Sequence, residues 1–424
     1  MIARGGGAHG RRLRRWVAGV AGLGIAASTL LSGVAATADA VRDHEYWLDQ
    51  YGIRAAWNTT KGEGVTIAVI DTGVDGSVPD LVGAVGPGAD FSGLGSPNGQ
   101  TPVGADGSDH GTMVASLAAG RGTSGNNGVI GSAPLATIMP LSIGFGEGNS
   151  SSDDQVAAAV TYAVDNGARV INMSLTRNTL EWPESWDKAF LYAMQHNVVV
   201  VAAAGNRGSG TTEVGAPATM PGVLTVGGVD ASGSASFDAS SQGITIAVAA
   251  PSEQLVGVTP GGGYVLWNGT SGATPIVSGV VALVMAAHPE LDANNVINRI
   301  VQTARDAGAA GTDPIYGFGL IDAQAAVTAS VPQVSANPMG DLADWIKVYR
   351  RAESTPVPVP TAVATPSPAP VVAAPVNPLG RLLPTVNLLR NVGIPVLLFV
   401  VFAGLIVGLV VRVVRQFRST RKSE

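Results

Sequence analysis

The chain has 424 residues, of which 46% are hydrophobic and 13% are charged, and its formal net charge at pH 7 is −6. This length allows two or three domains, and the lack of a basic stripe argues against nucleic acid as a partner. The sequence contains no cysteine, which excludes disulfides, thiol catalysis and cysteine-ligated zinc.

The N-terminus has the three parts of a secretory signal peptide. Arginines form a basic start, residues 17–31 form an apolar stretch, and residues 36–38 offer small side chains for cleavage. We therefore expect a signal peptide over residues 1–38, cleaved after Ala38 or, as a second choice, after Ala40. An uncleaved membrane anchor is the alternative, but the many glycines and alanines of the apolar stretch favour cleavage.

Residues 39–335 are predicted to form one domain in which strands and helices alternate. Residues 42–60 carry aromatic anchors on a short helix and connection, and residues 64–70 form a β-branched run typical of a strand buried on both faces. Further strands are predicted at residues 136–143, 168–175, 198–204, 223–229 and 244–249. Helices are predicted at residues 110–119, 153–166, 183–196, 271–287 and 293–303. This alternation indicates an α/β fold with a doubly wound, mostly parallel sheet and helices on both faces.

The C-terminal part of the sequence predicts attachment to a membrane. Residues 336–351 form an amphipathic pattern typical of an appended helix, and residues 352–390 are a proline-rich linker and juxtamembrane segment. Residues 391–411 form an apolar run long enough to span a membrane, and the tail at residues 412–424 is basic. The positive-inside rule places this tail in the cytoplasm and the preceding domain outside the membrane.

Ser271 is the first candidate for a chemical role. Glycines flank it at positions 269 and 272, and an apolar helix is predicted to follow. A helix N-terminus favours negative charge that develops beside it, so a serine at this place is a candidate nucleophile. The alternative is that Ser271 or Thr270 only caps the helix, since both residue types are common caps.

Two other residues are predicted at the same edge of the sheet as Ser271. Asp71 ends the first strand, and His110 begins a helix after a glycine-rich loop. A serine nucleophile needs a base and a carboxylate that orients the base, and the order Asp, His, Ser is one of the known orders. A pair of aspartic-protease carboxylates is the alternative for Asp71, but the chain has no second Asp-Thr-Gly or Asp-Ser-Gly. Asn206, which follows a valine-rich strand, is a candidate oxyanion donor.

Four short blocks carry these residues. They are Asp71-Thr72-Gly73, His110-Gly111-Thr112, Ala204-Gly205-Asn206 and Gly269-Thr270-Ser271. Together they resemble the signature blocks of the subtilisin-like serine proteases, over about residues 60–330. The resemblance implies that Asp71 orients the base, that His110 is the general base and acid, and that Ser271 is the nucleophile. It also implies that Asn206 and the Ser271 backbone N–H bind the oxyanion.

The overall organisation resembles a narrower group, the mycosins, which are membrane-anchored subtilases of type VII secretion. The broader resemblance to the subtilases implies that Ser174, Leu175 and Thr176 line the substrate pocket. At this place many subtilases read Ser-Leu-Gly-Gly, whereas this chain has Thr176 and Arg177 in place of the two glycines. Predictions about the pocket that depend on those glycines are therefore unsafe.

These features predict a membrane-anchored serine endopeptidase that cleaves polypeptides outside the membrane and takes part in type VII secretion. The alternative is a structural subunit of a secretion complex in which proteolysis is dispensable. We expect no cofactor and no catalytic metal. The acidic loops offer carboxylates for structural calcium, but no spacing of ligands supports a site.

Overall fold

The computed structural model describes residues 38–104, 108–124 and 127–350. Seven of the strands in this part of the chain form a parallel β-sheet. The strands are β1 (Thr66–Asp71), β2 (Ala89–Asp90), β3 (Arg121–Thr123), β4 (Asn127–Ile130), β5 (Thr137–Ser142), β6 (Val170–Met173), β7 (Val199–Ala203), β8 (Leu224–Val229), β9 (Ile246–Pro251), β10 (Leu255–Val258) and β11 (Tyr264–Trp267). The helices are α1 (Ala38–Asp43), α2 (Trp47–Gln50), α3 (Ile53–Ala56), α4 (His110–Ala119), α5 (Ser152–Asp165), α6 (Glu184–Gln195), α7 (Thr270–Ala287), α8 (Ala293–Gln302), α9 (Ala323–Thr328) and α10 (Leu342–Tyr349).

Several predicted segments lie outside this part of the chain. They are the signal peptide up to residue 37, the proline-rich linker, the membrane span and the basic tail. All described residues fall within one compact unit. The domain boundaries expected from the sequence, at residues 38, 335 and 351, stay predictions.

The sheet has the strand order β2-β5-β1-β6-β7-β8-β9, and each neighbouring pair runs parallel. The predicted parallel α/β architecture is therefore confirmed for the described residues. Because β1 lies between β5 and β6, the chain first builds toward one edge of the sheet and then continues on the other side of β1. Ligands of open parallel sheets bind outside the carboxyl ends of the strands at such a reversal. We therefore expect a functional site at the carboxyl end of β1.

Each face of the sheet buries its own apolar cluster. On β1, Ile67 and Val69 face the cluster that includes α7, whereas Ala68 and Ile70 face the cluster that includes α5 and α6. Successive side chains of a strand point to opposite faces, so both sets are needed to cover the sheet. The strands therefore appear in the sequence as continuous apolar runs and not as an alternation of apolar and polar residues.

Helix α7 packs across the middle of the sheet and is the core helix of its face. Its 18 residues have a mean hydropathy of 1.6, and 83% of them are buried inside the protein. By length and composition it is the one helix among the described residues that could cross a membrane, but this degree of burial identifies it as part of the core. The predicted span at residues 391–411 is not among the described residues.

The segment before β1 forms three short helices, where the sequence predicts one short helix and a connection over residues 42–60. Trp47 and Leu48 are fully buried in the core cluster that contains α7. The Glu45 carboxylate is also buried, and it accepts a hydrogen bond of 2.6 Å from the Ile130 amide. The N-terminal segment is thus an integral part of the core.

The predicted bounds of the longer elements agree closely with the structure, but several short elements are missing from the prediction. The antiparallel hairpin β10–β11 is the most important of these, since its last residue, Trp267, borders the site. Each of its strands has four residues, which is too short for an apolar periodicity to stand out. The predicted helix at residues 336–351 is the shorter α10, and α9 was not predicted.

Replacing Leu48 by alanine should destabilise the domain by about 2–5 kcal/mol, because a fully buried leucine leaves a cavity. The change is measured as a loss in the free energy of unfolding by chemical denaturation. Leu94→Ala is the matched control: Leu94 is 51% exposed, and its loss should change stability by less than about 0.5 kcal/mol. Equal effects of the two substitutions would show that the N-terminal segment is not part of the cooperative core.

Candidate active site

The side chains of Asp71, at the end of β1, and His110, at the start of α4, are in direct contact. His110 Nδ1 lies 2.9 Å from Oδ1 and 3.0 Å from Oδ2 of Asp71. Asp71 is fully buried, whereas 26% of the His110 side chain is exposed. When Nδ1 donates its hydrogen to a carboxylate, the neutral imidazole has its free lone pair on Nε2. The contact therefore prepares Nε2 to accept a proton.

Thr72 ties these two residues to the backbone around them. Its amide donates a hydrogen bond of 2.7 Å to Asp71 Oδ1. Its hydroxyl accepts one of 3.0 Å from the Gly111 amide and lies 3.2 Å from the Ser108 carbonyl oxygen. A Cβ at Gly111 would lie 2.1 Å from the Gly73 carbonyl oxygen, so only glycine allows α4 to begin this close to β1.

Ser271 is the second residue of α7, and a proline further along the helix determines its hydrogen bonds. Pro275 has no N–H, so the Ser271 carbonyl lacks its ordinary helical donor. Ser174 replaces that donor: its hydroxyl donates to the Ser271 carbonyl at 2.8 Å. The Ser271 hydroxyl in turn donates to the Ser174 carbonyl at 3.2 Å. Both the backbone and the side chain of Ser271 are thus held against the end of β6.

The alternative that Ser271 or Thr270 caps α7 is not supported by the structure. Gly269 occupies the N-cap position, and no side chain caps the helix. The Thr270 hydroxyl instead lies 3.0 Å from Asn206 Oδ1 and accepts a hydrogen bond of 3.1 Å from the Gly205 amide. Thr270 therefore links the start of α7 to the end of β7, a role that the sequence analysis missed.

The amide group of Asn206 is oriented by the same contacts. Its Oδ1 accepts a hydrogen bond of 2.8 Å from the Thr270 amide, in addition to the contact with the Thr270 hydroxyl. An asparagine side chain has two further hydrogens on Nδ2, and no acceptor for them occurs among the described residues. The Asn206 Nδ2 group is therefore available to an oxygen atom brought in by a ligand.

The Ser174 hydroxyl belongs to a buried network of polar side chains. Asn172, on β6, donates a hydrogen bond of 3.0 Å to the Ser174 hydroxyl, and Ser278, on α7, donates one of 2.9 Å to Asn172 Oδ1. All three side chains are buried, and buried polar groups that satisfy one another fix each other's positions. Asn172 and Ser278 lie inside apolar runs, so nothing in the sequence marks them as part of a site.

The three predicted pocket residues, Ser174, Leu175 and Thr176, make different contacts in the structure. Ser174 forms hydrogen bonds with Ser271, as described above. Leu175 is half-buried against the apolar cluster that contains α5 and α6, and the Thr176 hydroxyl donates to the Arg177 carbonyl at 3.2 Å. A cavity of about 180 Å³ lies further along this segment, lined by residues 178–180 and 210–214. These residues were not singled out from the sequence.

Arg177 does not project an unpaired charge. Its guanidinium forms an ion pair with Asp153 of α5, and its Cζ lies 5.7 Å from the centroid of the Trp186 ring on α6. The positive charge that stands where many subtilases have a glycine is therefore neutralised by α5.

Two opposing effects act on the pKa of His110. Burial lowers it, because the charged imidazolium loses hydration, whereas the Asp71 carboxylate raises it through its charge and its hydrogen bond. The net result is a pKa above the ordinary histidine value. The Trp267 ring meets the imidazole edge-on, with centroids 5.7 Å apart and planes at 77°. Among the described residues, no cluster of three or more His, Asp or Glu side chains is suited to hold a metal ion.

Comparison with known proteins identifies the class to which this arrangement belongs. The profile of the Subtilase family of peptidases matches residues 62–319, a range that includes all the predicted site residues. Fervidolysin from Fervidobacterium pennivorans is 34% identical over 322 residues, which make up 68% of this chain and 44% of fervidolysin. Subtilisin E from Bacillus subtilis (strain 168) is 39% identical over 268 residues, which make up 62% of this chain and 66% of Subtilisin E.

A solved structure with a similar fold is that of MycP1 from the ESX-1 type VII secretion system. It aligns with a TM-score of 0.59 and 31% sequence identity, covering 69% of this chain and 88% of MycP1. The chain therefore belongs to the subtilase family of serine peptidases, and its structural neighbours include mycosins. It spans less than half the length of fervidolysin.

Replacing Asp71 by asparagine should lower the pKa of His110, because burial stays while the carboxylate that opposes it is lost. NMR titration of the imidazole signals, assigned with the help of His110→Gln, measures this pKa. In the unmodified protein it should exceed about 6.5. Asp109→Asn is the control, since Asp109 adjoins His110 in sequence but is exposed. An unchanged His110 pKa in Asp71→Asn would contradict the electrostatic role given to Asp71.

Proposed function

We propose that this protein is a serine endopeptidase in which Asp71, His110 and Ser271 act together. The observation that carries the proposal is the contact of His110 Nδ1 with both carboxylate oxygens of Asp71, at 2.9 and 3.0 Å. It orients the imidazole so that Nε2 is the basic atom. In the resemblance to the subtilases, the block Gly269-Thr270-Ser271 corresponds to the one that carries the nucleophile, and Ser271 is the residue at the nucleophile's position.

In the proposed reaction the Ser271 hydroxyl attacks the carbonyl carbon of a peptide bond, and His110 Nε2 takes its proton. The hydroxyl has a single hydrogen, so it must leave the Ser174 carbonyl before it can donate to His110. The imidazolium that forms is stabilised by Asp71 and then gives the proton to the departing amine. Water repeats these steps on the acyl-enzyme, which releases the acid product and restores Ser271.

Asn206 and the Ser271 amide are the proposed donors to the oxyanion. The Oδ1 of Asn206 is already engaged by Thr270 at 2.8 Å, which leaves Nδ2 to bind the developing negative charge. A single donor of this kind typically contributes ~10²–10³ in rate. Its effect depends on being oriented before the reaction, and the Thr270 contacts supply that orientation.

We further propose that the peptidase domain acts outside the membrane as part of a type VII secretion system. The support is the predicted signal peptide, the apolar run at residues 391–411 followed by a basic tail, and the similarity to MycP1. Residues 352–390 then serve as the spacer between domain and membrane. In this arrangement the substrate is a polypeptide on the extracytoplasmic side.

A structural role in the secretion complex is the second candidate function. MycP1 is described as an essential component of the type VII (ESX-1) secretion system, and a component can be essential without its catalysis being so. Both roles are compatible with one chain.

A membrane-impermeant fluorophosphonate added to intact cells should label the protein, and Ser271→Ala should abolish the labelling because the nucleophile is gone. Removing a triad serine typically lowers kcat by about 10⁶-fold. Ser124→Ala is the matched control, because Ser124 is preceded by Gly-Thr in the sequence, as Ser271 is. Ser124 comes directly after a short strand, whereas Ser271 lies at the start of a helix. Undiminished labelling of Ser271→Ala would overturn the assignment of the nucleophile.

A chain truncated after residue 390 should appear in the medium and should still be labelled by the fluorophosphonate.

The two candidate functions predict different behaviour of a secreting strain. If proteolysis is required, Ser271→Ala and deletion of the whole protein should block export to the same extent. If the structural role is sufficient, the deletion blocks export while Ser271→Ala secretes normally. Export is measured as the amount of secreted protein in the medium, with immunoblotting to show that Ser271→Ala accumulates at the normal level.

A further inference from the structure

Arg207 directly follows Asn206, and its guanidinium is held over an exposed aromatic ring. The Arg207 Cζ atom lies 4.8 Å from the centroid of the Phe237 ring, and 72% of Phe237 is exposed. The pair forms a small surface, partly cationic and partly apolar, one residue away from the proposed oxyanion donor.

The backbone on both sides of this pair is fixed. The Gly208 amide donates a hydrogen bond of 2.9 Å to the Asp238 carbonyl, and the Ser241 amide donates one of 2.7 Å to the Gly205 carbonyl. These bonds join the loop that follows β7 to the loop that carries Phe237. Stacking on the ring then restricts the guanidinium itself, as expected for a cation–π contact.

The charge of Arg207 has no partner of opposite sign in the part of the chain that the structure describes. Arg177, which precedes the cavity-lining residues 178–180, differs in this respect because Asp153 neutralises it. The positive charge nearest to Asn206 in sequence is therefore free to act on a ligand. Asp238, which follows Phe237 in the sequence, is exposed and forms no ion pair.

We propose that Arg207, stacked on Phe237, selects substrates with an aspartate or glutamate within two residues of the cleaved bond. This inference rests on the proposed function, because it assumes that Asn206 marks the position of the scissile carbonyl. A guanidinium binds a carboxylate through two parallel hydrogen bonds. The methylene groups of the acidic side chain would pack on the open part of the Phe237 ring.

The full-length protein in detergent first digests a proteome-derived peptide library, which identifies a sequence that it cleaves. The test then compares internally quenched peptides built on that one sequence. Glutamate, glutamine or lysine is placed in turn at each of the two positions on either side of the cleaved bond. At one of these positions kcat/KM should be about 5- to 10-fold higher for glutamate than for lysine. The preference should shrink at 0.5 M NaCl because salt screens exposed charges.

Variants then assign the preference to this pair. Arg207→Gln should remove it, Arg207→Glu should reverse it, and Phe237→Ala should weaken it without changing any charge. Arg54→Gln is the matched control, because Arg54 also lies over an aromatic ring, 5.6 Å from the centroid of Trp57, but belongs to the N-terminal helices. It should leave the preference unchanged.

The outcomes separate this inference from the proposed function. Ser271-dependent cleavage whose glutamate-to-lysine ratio is the same in Arg207→Gln as in the unmodified protein would overturn the role of Arg207 alone. Absence of any Ser271-dependent cleavage would overturn both. A preference for lysine at all four positions would also contradict the inference.

Discussion

The burial of the Asp71 carboxylate is the constraint on which the rest of the site depends. A charge that is removed from water is costly unless it is paired and hydrogen-bonded. Asp71 ends an interior strand of a sheet covered on both faces, so its partners must come from the segments at the carboxyl ends of the strands. The Thr72 amide and the His110 imidazole meet this need at 2.7 and 2.9 Å. The start of α4 is placed accordingly, and Gly111 removes the steric obstacle to that placement.

A second constraint arises inside α7. An apolar helix with this degree of burial needs partners for every polar group near its N-terminus. Pro275 makes the demand greater, because it removes the donor for the Ser271 carbonyl. Ser174, after β6, supplies a donor to the Ser271 carbonyl, and Asn206, after β7, supplies an acceptor to the Thr270 amide. The same hydrogen bonds that stabilise the buried helix therefore hold Ser271 and the Asn206 amide in position, so folding and preparation of the site share one set of contacts.

The sequence was sufficient to predict the parallel sheet, its long helices and the placement of Asp71 and His110 at element ends, where their side chains meet. That Ser271 acts with them stays a prediction. Buried strands and helices have strong apolar patterns, and their ends carry the chemistry. The role of Thr270 could not be predicted, because a threonine at a helix start is ordinarily a cap and only the position of β7 gives it another partner. The hairpin β10–β11 and the Asn172 network escaped for related reasons: short strands lack a clear period, and single polar residues in apolar runs have no pattern.

The two arginines near the site show why selectivity is harder to predict than chemistry. Residues of the proposed reaction belong to strand ends and to a buried network, where the core determines each position. Arg177 and Arg207 belong to connecting segments, and nothing in their sequence neighbourhoods distinguishes them. One is neutralised by Asp153 of a distant helix, and the other rests on an exposed ring with its charge unpaired. Whether a loop charge is available to a substrate depends on partners that only the folded chain brings together, so the specificity of such a protein depends on the least patterned part of its sequence.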